Sequence, residues 1–333
     1  MIGLLLVLGL VFLAAWGLTG CLRAYALRGE RLLDVPNNRS SHTDPTPRGG
    51  GVAIVLAALG GMLWGVMAGR ISLEEGAALG GAGLAVAAIG FLDDHGHVAA
   101  RWRLGVHFLA AGWLMAWLGG PPSLGGWSAS WGWLLGLPAL VWLLNLTNFM
   151  DGIDGLAGGE AVFAGLAGAA LLAAAGLPER ADASLIVAAA ATGFLVWNAP
   201  PARIFMGDAG SGFLGLLLGG LALQAAHLDG RLLWAWVILL GVFVADASFT
   251  LLRRLLRGER VYEAHRSHAY QWAARQHGHR TVTLAAMTIN LFWLFPWALA
   301  VALGAFSPLP AILVAYLPLV ALVWRLGAGR AES

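Results

Sequence analysis

A helix needs about 17 to 25 largely apolar residues to cross the hydrocarbon core of a bilayer. Eleven runs near that length follow one another along this chain, near 2–21, 51–69, 76–92, 104–119, 132–148, 159–176, 184–199, 211–227, 231–252, 282–305 and 309–325. Lipid offers the backbone no hydrogen-bonding partner, so such runs must satisfy their own N–H and C=O groups as helices. The expected fold is therefore all-α, a polytopic integral membrane bundle of about 11 transmembrane helices in one domain over 1–333. Composition agrees, because 11% charged residues lie far below the roughly 25% of soluble domains. The 47 glycines suit helices that pack closely against each other. No internal repeat emerges.

Orientation follows from arginine. All twenty basic residues are arginine, and seventeen fall in alternate loops (22–50, 93–103, 149–158, 200–210, 253–281 and the C-terminal tail), against Arg70, Arg180 and Arg231 in the others. Positive loops stay in the cytoplasm, which puts the N-terminus outside, the C-terminus inside and the first set of loops inside. Leu18-Thr19-Gly20-Cys21 resembles a lipoprotein cleavage box. A secretory signal, however, carries its positive charge before the apolar run, and here Arg23 follows it. A membrane span is the better reading. The sixteen tryptophans read mainly as interfacial anchors and packing.

Some chemistry is excluded at once. Without lysine there is no Schiff base and no lysine general base. The single cysteine, Cys21, rules out an intramolecular disulfide and a cysteine metal cluster.

The polar residues then gather in the inner loops. Asn145, Asn148 and Asp151 recur every three residues, so a helical continuation would set them on one face, with Asp154 three further along; Gly152 and Gly155 let the backbone bend away. As single features, Asn and Asp beside Gly are also ordinary turn residues. Asp93-Asp94 closes an apolar run, where adjacent carboxylates repel and resist desolvation. That calls for a cation, and Mg2+ takes carboxylate oxygens together with substrate phosphates; the plainer alternative is a pair of solvated loop acids. In Phe205-Met-Gly-Asp208-Ala-Gly-Ser211, Asp208 and Ser211 can cap the following helix. Helix N-termini also favour phosphate, so capping and ligand binding are compatible. His265-Arg266-Ser267-His268 lies in a loop with seven arginines, which could be only the positive-inside signal. Facing several acids, it reads better as a diphosphate clamp than as a zinc site, because no Glu stands between the histidines. Asp246, inside the ninth run, is a functional candidate by location; a structural pairing with Arg253 or Arg254 is the expected role.

Taken in order, Pro45-Thr46-Pro47-Arg48-Gly49-Gly50, Asp93-Asp94, Asn145-x-x-Asn148-x-x-Asp151-Gly-x-Asp154-Gly-Leu-Ala157, Phe205-Met-Gly-Asp208-x-Gly-Ser211 and the late histidine loop resemble the polyprenyl-phosphate N-acetylhexosamine-1-phosphate transferases. The resemblance runs over nearly the whole chain. It implies transfer of a sugar 1-phosphate from a UDP-N-acetylhexosamine to undecaprenyl phosphate, releasing UMP, in the bacterial inner (cytoplasmic) membrane with the active site facing the cytoplasm. It implies further that Asp208 ligates Mg2+, with Mn2+ able to substitute, and that Asp93, Asp94 and His268 are catalytic. Asn145, Asn148, Asp151, Asp154 and Phe205 would hold the nucleotide. His265, Arg266, Thr46 and Arg48 would engage the diphosphate and sugar. Expected partners are the two substrates and the bilayer, without nucleic acid, and a homodimer is compatible. One displacement, or two by way of an acyl phosphate on Asp93, both remain open.

Departures narrow the branch. The pentapeptide-transferase branch generally carries a lysine after the acid pair and consecutive histidines in the late loop, whereas this chain has His97 and a spaced His-Arg-Ser-His. Asp34-Val-Pro-Asn-Asn-Arg-Ser-Ser-His-Thr looks most like the branch that starts O-antigen and related lipopolysaccharide chains, on UDP-GlcNAc, UDP-FucNAc or UDP-QuiNAc. The alternative enzyme is a phospho-MurNAc-pentapeptide transferase; the non-enzymatic one is a secondary transporter, which would place its site near the midplane. A CDP-alcohol phosphotransferase fails because Gly158-Gly159 stand where that signature continues Ala-Arg. Single cysteines introduced in 253–281 of a Cys21→Ser chain should resist a membrane-impermeant thiol reagent added from outside intact cells; labelling from outside would refute the orientation.

Overall fold

The computed structural model describes residues 2–29, 33–34, 45–96, 98–122, 129–260 and 265–330. Most of the Asp34–Thr43 segment and His97, used above to choose a branch, lie outside them. Helix α1 (Ile2–Gly29) is followed by a two-residue antiparallel pair, β1 (Leu33–Asp34) with β2 (Thr46–Pro47), in which Asp34 opposes Thr46. There follow α2 (Gly51–Met67), α3 (Leu73–His95), α4 (Ala100–Trp117), α5 (Ala129–Met150), α6 (Leu156–Ala174) and α7 (Asp182–Asn198). Next come α8 (Asp208–Leu228), α9 (Gly230–Leu239), α10 (Gly241–Leu256) and α11 (Ala269–His277). Helix α12 (His279–Ile289) runs through a π-helical turn at Asn290–Leu294 into α13 (Phe295–Ala302), and α14 (Pro308–Arg325) closes the order.

Each of the eleven apolar runs carries a helix, so the all-α membrane bundle stands. Seven helices among the described residues are long and apolar enough to cross a membrane: α1, α3, α5, α6, α8, the continuous α12–α13 and α14. The pair α9–α10, bent by 70°, would make eight, and α2 and α7 are shorter apolar helices. Length and composition thus support fewer full spans than the eleven runs suggest, because α2 and α7 are only 17 residues long and α9–α10 is bent.

Helix α8 is the column of the bundle. Every residue from Ala209 to Ala226 is buried, and α3, α5, α2, α6 and α9 pack around it. Glycines on its neighbours let backbones approach: a Cβ on Gly51 of α2 would stand 2.4 Å from Gly210 Cα, and one on Gly90 of α3 would stand 2.6 Å from the Asp208 carbonyl. Three backbone bonds, Phe205 N to Pro47 O, Gly50 N to Phe205 O and Gly51 N to Met206 O, then pin the start of α2 beside the start of α8. The cytoplasmic-motif residues are gathered by this close packing.

Gly51→Ala should therefore cost about 1–3 kcal/mol, the usual cost of overpacking, seen as a lowered unfolding temperature in detergent. Gly60→Ala, on the same helix with nothing within 4 Å, should leave that temperature unchanged.

Candidate active site

Gly207, with φ of +80°, turns the chain into α8 and is its N-cap, yet no side chain of its own segment caps the helix. Asp94 does so from α3. Its Oδ1 accepts from Asp208 N at 3.1 Å and its Oδ2 from Ala209 N at 3.2 Å. Arg48 completes the arrangement, donating from Nη2 to Asp94 Oδ1 at 2.9 Å and to the Asp94 carbonyl at 3.0 Å. With its side chain only 2% exposed, Asp94 is saturated by structural donors. Its neighbour differs. Asp93 takes Val98 N on Oδ1 at 2.8 Å and Arg103 Nη1 on Oδ2 at 2.5 Å.

The same Arg103 nitrogen reaches Asp208 Oδ2 at 3.2 Å. Asp208 is thus joined to Asp93 through one guanidinium, and its side chain is 34% exposed, the most open of these acids. Asn148 lies alongside, donating to Ser211 Oγ at 3.0 Å, while Ser211 donates to Gly207 O. Asp151 faces the same charges. Desolvation of its carboxyl, and then the negative charges of Asp208 and Asp94, hold it well above the ordinary carboxylate range. A raised carboxyl binds its proton more tightly in the folded chain, so this group costs stability as pH rises above the unfolded value of about 4. Positive charge brought to the cluster relieves that cost.

Asn145 donates to Val141 O at 2.7 Å and meets His107 Nδ1 at 3.5 Å. The helical face expected to run from Asn145 to Asp154 stops short: α5 ends at Met150, and Gly155 at φ of +74° redirects the chain. Asp154 is turned to another set of partners, Ala202 N at 3.0 Å and His279 Nδ1 at 3.0 Å. Thr283 Oγ1 also donates to its carbonyl. Phe205 is held by its backbone between Pro47 and Gly50, beside Thr46 of β2.

The late loop closes on the same elements. His268 is 2% exposed, and its ring stacks with His265 at 4.9 Å and lies 6.3 Å from Phe149. His265 Nδ1 meets Ser267 Oγ at 3.0 Å, and the Arg266 carbonyl accepts from Arg275. The expected pairing of Asp246 with Arg253 or Arg254 is not what forms. Arg254 pairs with Glu259 at 2.7 Å and Arg253 donates to Ala328 O at 3.0 Å, while Asp246 turns inward to the first turn of α11. Sequence reasoning missed Arg103, His107 and His279. Arg103 had been counted only as loop charge, although it follows Asp93 by ten residues.

Among the described residues, no three His, Cys, Asp or Glu side chains form a ready-made metal cage. Asp93 and Asp208, sharing one cation and open to ligand, fit a different pattern: Mg2+ usually takes one or two protein carboxylates together with phosphate and water. With a divalent cation bound, such an arrangement could hold a polyanion.

The sequence model of glycosyl transferase family 4 matches residues 77–226, which include Asp93, Asp94, the Asn145–Asp154 stretch and Asp208. A probable undecaprenyl-phosphate N-acetylglucosaminyl 1-phosphate transferase of Bacillus subtilis is 32% identical over 251 residues, 72% of this chain and 68% of that protein. A phospho-N-acetylmuramoyl-pentapeptide-transferase of Synechococcus elongatus is 35% identical over 62% of this chain and 60% of its own length. A decaprenyl-phosphate N-acetylglucosaminephosphotransferase of Mycobacterium leprae is 29% identical over 89% of this chain and 83% of its own.

Asp94→Asn should lower stability by about 1.5–3 kcal/mol, the scale of a lost hydrogen bond to a charged group, and by more than Asp93→Asn, which loses the bond to Arg103 at a more exposed carboxylate. Calorimetry on the two purified variants compares the losses.

Proposed function

The chain belongs to glycosyl transferase family 4, the polyprenyl-phosphate hexosamine-1-phosphate transferases, and from that footing we propose that it transfers an N-acetylhexosamine 1-phosphate from a UDP-sugar to undecaprenyl phosphate. UMP leaves. The observation that carries the reading is the joining of Asp93 and Asp208 through Arg103 at the start of α8, beside Asn148 and Asp151. Phosphoryl transfer asks for in-line positioning and charge neutralisation rather than covalent chemistry from the protein.

In the proposed step, an oxygen of the lipid phosphate bonds to the phosphorus that bears the sugar. The bridging P–O bond breaks and its electrons leave with UMP. Charge is equal on both sides, so no proton need move. Both Asp93 oxygens already accept hydrogen bonds, which favours a charge-holding role and a single displacement over an acyl phosphate. Asp208, with Asp93, would hold Mg2+, which when bound supplies positive charge at the diphosphate. Arg103 stands within reach of the same oxygens. Asn148 and Asp151 would fix the nucleotide, and His265, Arg266 and His268 the diphosphate and sugar; Asn145, Asp154 and Phe205 hold the backbone that presents them.

Two apolar cavities support a lipid substrate. One, of 220 Å³, is lined by Met150, Leu156, Val282, Ala286, Leu322 and Val323, with Asp246 and Tyr270 at its wall. The other, of 370 Å³, lies along α5 and α9 near Trp142, Leu146 and Val244. Both flank α10. The active site is proposed to face the cytoplasm of a bacterial inner membrane, and the product to start a lipid-linked surface polysaccharide such as O-antigen. The spaced histidines argue against UDP-MurNAc-pentapeptide as donor; the similarity to the Synechococcus protein keeps that sugar in the test.

Purified protein given undecaprenyl phosphate, Mg2+ and UDP-GlcNAc, UDP-FucNAc, UDP-QuiNAc or UDP-MurNAc-pentapeptide should form radiolabelled lipid and UMP with one of the first three. Asp208→Asn should lower turnover by about 100-fold or more while still inserting into membranes. No lipid product from any donor, with a known transferase working alongside, would overturn the reading; wild-type turnover in Asp208→Asn would overturn the metal assignment.

A further inference from the structure

We propose that Asp246 is a positioning residue that fixes the orientation of His268, and through Tyr270 couples the histidine loop to the Asn148–Asp151 stretch. The catalytic part of this rests on the transferase reading; the anchoring part does not.

Asp246 is 3% exposed inside α10. Four groups converge on its carboxylate. Oδ1 accepts from Thr250 Oγ1 at 3.1 Å and Ala269 N at 2.9 Å, and meets His268 Nδ1 at 3.3 Å; Oδ2 accepts from Tyr270 N at 2.8 Å. The imidazole is held on a second side at the N-cap of α11, where it accepts from Gln271 N while Gln271 Oε1 accepts from His268 N at 3.2 Å. A histidine with one ring nitrogen tied to a carboxylate has its ring plane chosen for it, a device that recurs wherever imidazole must meet a ligand in one orientation. The rings of His265, at 4.9 Å, and Tyr270, at 5.7 Å, stack with His268 and leave it little freedom to turn.

The same carboxylate takes the first two backbone N–H groups of α11. Such groups have no partner within a helix, so Asp246 decides where α11 begins. Tyr270, thereby placed, reaches across to α5 and donates from its hydroxyl to Phe149 O at 2.8 Å. The fit is close: a Cβ on Gly152 would stand 2.1 Å from the Tyr270 hydroxyl oxygen. Asp246 therefore sits at the root of a path from α10, through α11, to the residue just before Met150 and Asp151. Ser267 is held from the other side, its carbonyl accepting from Gly329 N at 2.7 Å. The histidine loop is clamped between these contacts.

Asp246→Asn tests the idea without changing shape. Whichever way the amide turns, its NH2 faces a donor: either Tyr270 N, or the group formed by Thr250, His268 and Ala269. Hydrogen exchange should be faster in the 265–272 peptide of Asp246→Asn and unchanged in peptides from α8. Turnover should fall by about tenfold to a hundredfold, as for other residues that orient a functional histidine, with the KM for UDP-sugar altered less than threefold. In a His268→Ala background the same substitution should cost less than twofold, because a residue that works through the ring has nothing left to orient. Asp246→Ala is read the same way; should it fail to insert, Asp246→Asn still decides. A further tenfold loss in the His268→Ala background would overturn the positioning role. Unchanged exchange at 265–272 would overturn the anchoring. If the wild-type chain forms no lipid product, the transferase reading fails, while the exchange result still decides the anchoring.

Discussion

Negative charge at the start of α8 is the constraint on which the rest depends. Asp93, Asp94, Asp151 and Asp208 converge there, and among the described residues Arg48 and Arg103 answer them by direct contact. The carboxylates are not equivalent. Asp94 is consumed by the helix N-terminus and Arg48, which makes it part of the scaffold; Asp93 and Asp208 share Arg103, and Asp208 is the more exposed of the two. A helix N-terminus carries partial positive charge, so Asp94 stabilises α8 while its own charge is partly offset. Asp93 and Asp208 have the single Arg103 between them, and the cation of a bound diphosphate would supply further positive charge.

The bundle serves that concentration of charge. Because α8 is buried along its length, its N-terminus can be fixed to within a hydrogen bond by α2 on one side and α3 on the other. Glycine at 51, 90 and 210 permits the backbone approach. The late loop is brought in from the opposite side by α10 and α11, and Tyr270 joins it to α5. The ends of six helices, α2, α3, α4, α5, α8 and α11, thus hold one polar cluster at one end of the bundle. This suits an enzyme whose two substrates differ in solubility, with apolar cavities beside α10 and polar loops at its end.

Much of this was legible in the sequence, for identifiable reasons. Apolar runs report helices in lipid directly, and the clustering of Asp93-Asp94, Asn148, Asp151 and Asp208 in alternate loops pointed to one site. Pairings across the bundle were not legible. Nothing near Asp94 in the chain says that it caps a helix more than a hundred residues later, and nothing near Asp246 distinguishes the nearby Arg254 from the distant Ala269 and Tyr270 amides as its partner. The periodicity of Asn145, Asn148 and Asp151 was also read too far, because α5 ends at Met150, before Asp151 and Asp154. Arg103 was hidden by its company: in a chain whose loops are rich in arginine, one that bridges two acids looks like any other.

The central claim, that the start of α8 is a divalent-cation and diphosphate site, is tested most directly by Mn2+ binding, followed by electron paramagnetic resonance on purified protein with UMP present. The account predicts binding that is lost in Asp208→Asn, weakened in Asp93→Asn and kept in Asp154→Asn, whose carboxylate is turned toward Ala202 and His279. Binding that survives unchanged in Asp208→Asn would contradict it.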